Sequence, residues 1–163
     1  MRISFIGAGH ITELLINHLV SDVMFEADDL TISDPDGNRC AELKRRFGVS
    51  VAADNCEAVS RSDFTFVCVQ PHIVRKVIDE LKDTCLRGRI LISVSAGIST
   101  GLYRRELPDA VVARILPNPP SGIGEGAIPV TISGNADGEQ VESIMKLVGL
   151  FGKSFIVPED KID

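Results

Sequence analysis

Tryptophan is absent from this 163-residue sequence, tyrosine occurs once and histidine only three times. The histidines, His10, His18 and His72, stand apart from one another, and none has a nucleophile beside it in a base–nucleophile pattern. Ser93, Ser95 and Ser99 lack the G-x-S-x-G elbow of a serine hydrolase. Together these absences argue against covalent hydrolytic catalysis. None of the four cysteines, Cys40, Cys56, Cys68 and Cys85, is spaced C-x-x-C, and no histidine stands at a zinc-site distance. No metal is expected, and the cysteines read as free, mostly buried thiols of a reducing compartment. Asp137-Gly138 reads as a turn or helix start rather than part of a calcium loop.

Excess positive charge is missing as well. The net charge is −6, and an acidic surface repels polyanions, so nucleic acid and anionic membrane are poor partners. Lys44-Arg45-Arg46 and Arg104-Arg105 read as solvated helix faces. No apolar run approaches the ~18 residues of a membrane span. The N-terminal run is broken at Gly7, too early for a secretory leader, and a cytoplasmic protein is expected. With 44% hydrophobic and 25% charged residues, the composition is globular and long enough for one well-cored domain over residues 1–163.

What is present is a regular alternation of apolar runs and helical spacing. Residues 2–6 form a strand candidate that runs into Gly7-Ala8-Gly9. Ile11, Leu14, Leu15, His18 and Leu19 then fall on one helix face. Leu30–Ser33 predicts a second strand, and Cys40, Leu43 and Phe47 a second helix stopped by Gly48. A short strand is expected near residues 49–51. Residues 64–69 and 90–94 are continuous apolar runs, as expected of strands covered on both faces. Val74, Val77, Ile78 and Leu81 are helically spaced, residues 100–107 predict a short helix, and Val111–Ile115 another strand. A strand at residues 127–133, a helix carrying Val141, Ile144, Met145 and Val148, and a strand near residues 154–157 complete the pattern. Repeated βαβ units imply a mainly parallel sheet with helices on both faces. The loop 117–126 is long enough to let one late strand run antiparallel.

Gly7-x-Gly9-x-x-Thr12 lies between the first strand and the first helix. There glycines allow a tight turn and let backbone approach a diphosphate, which meets free N–H groups at the positive end of the helix. Thr12 departs from the third glycine: either the helix stands further from the sheet, or the hydroxyl reaches phosphate. Asp34 ends the second strand, where an acidic residue binds the adenosine ribose; capping a helix at Pro35 is its rival role. A carboxylate there repels a 2′-phosphate, a lean toward NAD over NADP, although Arg39 nearby offers a phosphate partner.

Three further segments, Val69-Gln70-Pro71, Ser93-Val94-Ser95-Ala96-Gly97-Ile98-Ser99, and Arg114-Ile115-Leu116-Pro117-Asn118-Pro119-Pro120 with Gly124-Glu125-Gly126 after it, follow in order. With the first turn they resemble the pyrroline-5-carboxylate reductases, which show GAGNMG, V-K-P, A-A-G-I and R-x-M-P-N-T-P followed by G-x-G. The likeness covers nearly the whole chain. It implies a three-layer, doubly wound α/β fold of Rossmann type, an NAD(P)H cofactor and reduction of a cyclic imine. It further implies that Gly7, Ala8, Gly9, His10, Ile11 and Thr12 hold the diphosphate, that Asn55 meets the adenine ribose beside Asp34, and that Val69, Gln70, Pro71, Ala96 and Gly97 line the nicotinamide. Pro117, Asn118 and Pro120 would close over nicotinamide and substrate, with Asn118 the substrate-side candidate; no general acid is evident in the chain. His10, Ile11, Thr12, Gln70, Ser95 and Pro119 depart from the family pattern, marking a diverged member. Family members continue into a helical dimer domain about where residues 159–163 lie, so homo-oligomerisation is expected to be weaker here. Two rival expectations are a nucleotide-binding module without turnover, and a relative such as an F420-dependent NADP reductase or a β-hydroxyacid dehydrogenase.

Overall fold

The computed structural model describes residues 1–21 and 25–163. Among these residues eight strands form one sheet: β1 (Ile3–Ile6), β2 (Leu30–Ser33), β3 (Ser50–Val51), β4 (Phe64–Val67), β5 (Ile90–Ser93), β6 (Val111–Ile115), β7 (Gly126–Ile132) and β8 (Gly152–Ile156). Their spatial order is β3-β2-β1-β4-β5-β6-β7-β8. Every neighbouring pair is parallel except β6 with β7, which run antiparallel with Arg114 opposite Thr131. The long loop before β7 thus reverses the chain, as its length allows. The helices are α1 (His10–Ser21), α2 (Gly37–Phe47), α3 (Asn55–Ser60), α4 (Pro71–Leu81), α5 (Thr100–Glu106) and α6 (Gly138–Gly149).

Strand alternation sorts the two faces of the sheet. Ile3, Phe5, Phe64, Phe66, Ile90, Ile92, Val111 and Ala113 pack with Leu15 and Leu19 of α1, Leu43 of α2 and Ile144 and Leu147 of α6. Ile6, Val67, Leu91 and Val112 pack instead with Val59 of α3, Val74 and Ile78 of α4 and Tyr103 of α5. Helices therefore cover both faces, and the expected three layers are present. Phe5 stacks on Phe66 at 5.1 Å between centroids, and Phe151 meets Phe66 edge-on at 6.0 Å.

Several expectations are corrected. The cap of α2 is Asp36, which accepts the N–H groups of Asn38 and Arg39, so Asp34 does not cap that helix. The strand expected over residues 64–69 ends at Val67, because the chain turns outward before Pro71 opens α4. Among the cysteines only Cys40 is buried, and Cys85 is exposed. The single tyrosine, Tyr103, is fully buried, its hydroxyl donating to Ser93 Oγ at 3.0 Å. His18 is also buried on α1, with Nε2 2.7 Å from the Leu150 carbonyl. No helix among the described residues is long and apolar enough to cross a membrane.

Candidate functional site

The strand order reverses direction at β1: the chain passes from β1 to β2 on one side and returns through β3 to β4 on the other. The crossovers on the two sides diverge at that point, leaving a crevice beyond the carboxyl ends of the strands. A cleft of about 230 Å³ lies there, walled by Gly7, Ser33, Asp34, Asn55, Val69 and Lys76.

The turn from β1 to α1 shows why its two glycines differ. Gly7 has φ +97°, and a Cβ on it would lie 2.7 Å from the Cys68 carbonyl oxygen. Glycine is required here for the fold itself, because β4 passes directly behind the turn. Gly9 has nothing within 4 Å of the place a Cβ would take. Nothing in the protein demands glycine there, and the residue is exposed at the start of α1. His10 and Ile11, also exposed, open the helix beside it. The first turn of a helix carries N–H groups without intrahelical partners, the donors that an anion takes.

The Thr12 hydroxyl is committed within the turn: the residue is fully buried, and the hydroxyl donates to the Gly7 carbonyl at 2.5 Å. The side chain thus ties the turn to the helix from inside and does not reach toward the cleft.

Asp34 faces the same turn. Its carboxylate accepts the Ala8 N–H at 2.7 Å and the Asp36 N–H at 2.8 Å. Arg39, offered by the sequence as a phosphate partner, is already engaged: Nε donates to the Ala8 carbonyl at 2.8 Å, and the guanidinium pairs with Glu13 and with Glu42. The Arg39 bond is the main cause holding the Glu13 carboxyl below its ordinary range. Arg46 pairs with Glu13 as well. Asn55 opens α3, where Asp54 is the cap, and bridges the cleft wall: its Oδ1 accepts from Ser33 Oγ at 2.8 Å and its Nδ2 donates to Glu80 at 2.6 Å.

The other predicted residues gather along the same edge of the sheet. Val69, Gln70 and Pro71 follow β4, with Gln70 and Pro71 exposed. Ala96 and Gly97 follow β5 and are exposed, Gly97 at φ +70°. Ser95, between them and the strand, donates its hydroxyl to the Val69 carbonyl at 2.7 Å and so links the two loops. Pro117 and Asn118 follow β6. The Asn118 side-chain oxygen accepts from Ser121 Oγ at 3.1 Å and from the Ala127 N–H at 3.3 Å, so it organises its own loop. That loop is pinned over α1, since Gly122 lies so close to Leu14 that a Cβ would sit at 2.7 Å. All the predicted positions are therefore brought to one end of the sheet, and among the described residues no group of acidic, histidine or cysteine side chains is placed to hold a metal.

Sequence reasoning missed one cluster at this end. Arg114 lies within the apolar strand Val-Val-Ala-Arg-Ile with 2% of its side chain exposed. NH1 pairs with Glu159 at 2.5 Å and NH2 with Asp163 at 2.7 Å. A charge inside a strand covered on both faces demands carboxylate partners, and that was the signal available in the sequence.

A sheet that reverses at a glycine turn, with an acidic residue at the next strand end, defines a dinucleotide-binding α/β protein. Comparison with known proteins agrees. The chain belongs to the family described as NADP oxidoreductase coenzyme F420-dependent, whose model matches residues 2–97. It is 33% identical to pyrroline-5-carboxylate reductase 3 of Danio rerio over 100% of this chain and 57% of that protein. It is 30% identical to the pyrroline-5-carboxylate reductase of Corynebacterium melassecola over 99% of this chain and 61% of that protein. The chain thus spans about three-fifths of the length of these relatives. The solved pyrroline-5-carboxylate reductase of Coxiella burnetii superposes with a TM-score of 0.88 at 25% identity, covering 99% of this chain and 60% of that one. A Plasmodium falciparum pyrroline carboxylate reductase, solved with NADP bound, shares the fold with a TM-score of 0.85 at 19% identity.

Proposed function

We propose that this chain binds a reduced nicotinamide dinucleotide across the carboxyl ends of β1, β2, β4 and β5 and serves in reduction of a cyclic imine of the pyrroline-5-carboxylate type. The observation that carries the reading is the open space at Gly9 beside the free N–H groups of α1, with Asp34 at the next strand end. The residues fit the group. Gly7 makes the turn, and the backbone of Gly9, His10 and Ile11 supplies donors for the diphosphate. Asp34 and Asn55 offer acceptors to ribose hydroxyls, and the Asp34 charge favours NADH over NADPH. Val69, Gln70, Pro71, Ala96 and Gly97 flank the nicotinamide, with Pro117 and Asn118 on the substrate side.

When bound, the cofactor supplies hydride from nicotinamide C4 to the C=N carbon. The protein's part is to position the ring and exclude water. The Tyr103 hydroxyl is unsuited to act as an acid, because it is turned inward onto Ser93 and burial pushes it up to about 12. A substrate arriving as a protonated iminium needs no such acid: hydride reaches the carbon, the nitrogen keeps its proton, and the product is the secondary amine. Whole-chain coverage by the imine-reducing relatives favours this over an F420 or hydroxyacid substrate, since the F420-named family model stops at residue 97, before the Pro117-Asn118 loop. The same reading takes residues 1–163 as one dinucleotide-binding unit of a cytoplasmic protein.

The test is calorimetric titration with NADH and NADPH, followed by pyrroline-5-carboxylate in the same sample while absorbance at the reduced nicotinamide band is followed. Binding with turnover supports the proposal. Binding without turnover leaves a nucleotide-binding module, and failure to bind either nucleotide removes the reading.

A further inference from the structure

The Arg114 cluster joins two parts of the chain far apart in sequence. One Asp163 oxygen, Oδ1, accepts both Arg114 NH2 at 2.7 Å and the backbone N–H of Gly97 at 2.9 Å. Glu159 divides its oxygens: one accepts Arg114 NH1 at 2.5 Å, the other the Thr100 N–H at 3.2 Å and the Thr100 hydroxyl at 2.5 Å. Ser99, at the cap position of α5, makes no side-chain cap bond, so Glu159 supplies the acceptor that the helix start lacks. The loop after β5 is held at both ends, at Gly97 and at Thr100, by carboxylates locked to one buried guanidinium.

The arrangement is costly by itself. Arg114 Nε is buried with no hydrogen-bond partner, the one such side-chain atom among the described residues. A buried ion pair is weak evidence for stability, and an apolar residue often serves as well or better. What the pair does add is a fixed direction for one peptide. Gly97 at φ +70° sits in a conformation with no side chain to hold it, and its Cβ position is open. Because the peptide is planar and trans, fixing the Gly97 N–H also fixes the Ala96 carbonyl.

We propose that Asp163, locked with Glu159 onto Arg114, is a positioning residue for the nicotinamide end of the cofactor site, acting through the Gly97 peptide. This rests on the dinucleotide reading above. It assigns residues 159–163 a part in cofactor binding that their distance in sequence from the glycine turn conceals. The adenosine end of the cleft, built by Asp34 and Asn55, is independent of the clasp.

The experiment compares the chain with its Asp163→Ala and Glu159→Gln variants. Residue 163 is itself exposed, and in Asp163→Ala the Arg114 guanidinium keeps Glu159 as a partner. Affinities are measured by calorimetry for NADH, NADPH and ADP-ribose, which lacks the nicotinamide, and amide hydrogen exchange at Gly97 is measured without nucleotide. The expected result for Asp163→Ala is faster Gly97 exchange and a loss of about tenfold in affinity for the tighter dinucleotide. ADP-ribose affinity should stay within about twofold, and Glu159→Gln should act in the same direction, less strongly. Unchanged Gly97 exchange, unchanged dinucleotide affinity or an equal loss for ADP-ribose overturns the positioning role while leaving the dinucleotide reading intact. If the unaltered chain binds no nucleotide, both readings fall.

Discussion

The Asp34 carboxylate accepts the Ala8 N–H at 2.7 Å, tying the end of β2 to the glycine turn that follows β1. The carboxylate is thereby fixed at the edge of the cleft, and the Arg39 guanidinium is occupied by Glu13, Glu42 and the Ala8 carbonyl. A 2′-phosphate entering here meets that carboxylate, while the cation on the cleft wall, Lys76, lies 3.8 Å from Glu80. NADH should therefore bind more tightly than NADPH, and Asp34→Ser should narrow the ratio by about tenfold. Dissociation constants for both nucleotides check this, and a ratio that does not move removes Asp34 from cofactor choice.

Gly7 and Gly9 should fail in different ways. At Gly9 a side chain enters open space, so Gly9→Val should fold with an unchanged unfolding midpoint yet lose nucleotide binding. At Gly7 a Cβ would strike the Cys68 carbonyl at a positive φ, and Gly7→Ala should lose roughly 2 kcal/mol of stability or more. Thermal unfolding and calorimetry together separate them. Retained affinity in Gly9→Val contradicts the phosphate-turn assignment.

Asp36, rather than Asp34, caps α2 by accepting two N–H groups. Asp36→Ala should cost about 1 kcal/mol in chemical denaturation and leave the dinucleotide preference untouched. A larger effect on NADH affinity than on stability would mean that the two acidic residues have exchanged roles.

The clasp also predicts a pH dependence. Burial alone would raise the Glu159 carboxyl, but the bonds from Thr100 and Arg114 outweigh it and hold it below its ordinary range. The Gly97 N–H, and then Arg114, hold Asp163 low. Tyr103, which also interacts with Arg114, stays neutral over this range. Because both folded values lie below the unfolded ones, the unfolded chain takes up protons first on acidification. The contribution is complete above the ordinary carboxylate range near ~4 and is lost as pH falls through the folded values. In denaturant titrations from pH 7 to pH 3, the advantage of the unaltered chain over Glu159→Gln should shrink toward acid. An advantage that stays constant or grows would contradict the pairing.

Much of the architecture is legible in residue patterns because one physical rule generates it. Strands buried on both faces need continuous apolar runs such as Phe64–Val67, and covering helices need one apolar stripe, as in Val74, Val77, Ile78 and Leu81. The glycine turn was readable for the same reason, since only a few residue types permit that backbone. Boundaries and local partners were less so: Asp34 and Asp36 are both acidic, both near Pro35, and both able to cap. Choosing between them depends on where β2 ends relative to α1.

By itself, then, the sequence determined the order of strands and helices, the placement of the turn between β1 and α1, and the gathering of Val69, Ala96 and Asn118 at strand ends, because each follows from local pattern and chain connectivity. Only tertiary structure decided that Thr12 turns inward to Gly7, that Arg39 is withheld by Glu13, and that Arg114 reaches across to Glu159 and Asp163. Those choices depend on which polar groups come within hydrogen-bonding distance once the sheet has closed its two layers of helices, and no local pattern encodes that distance.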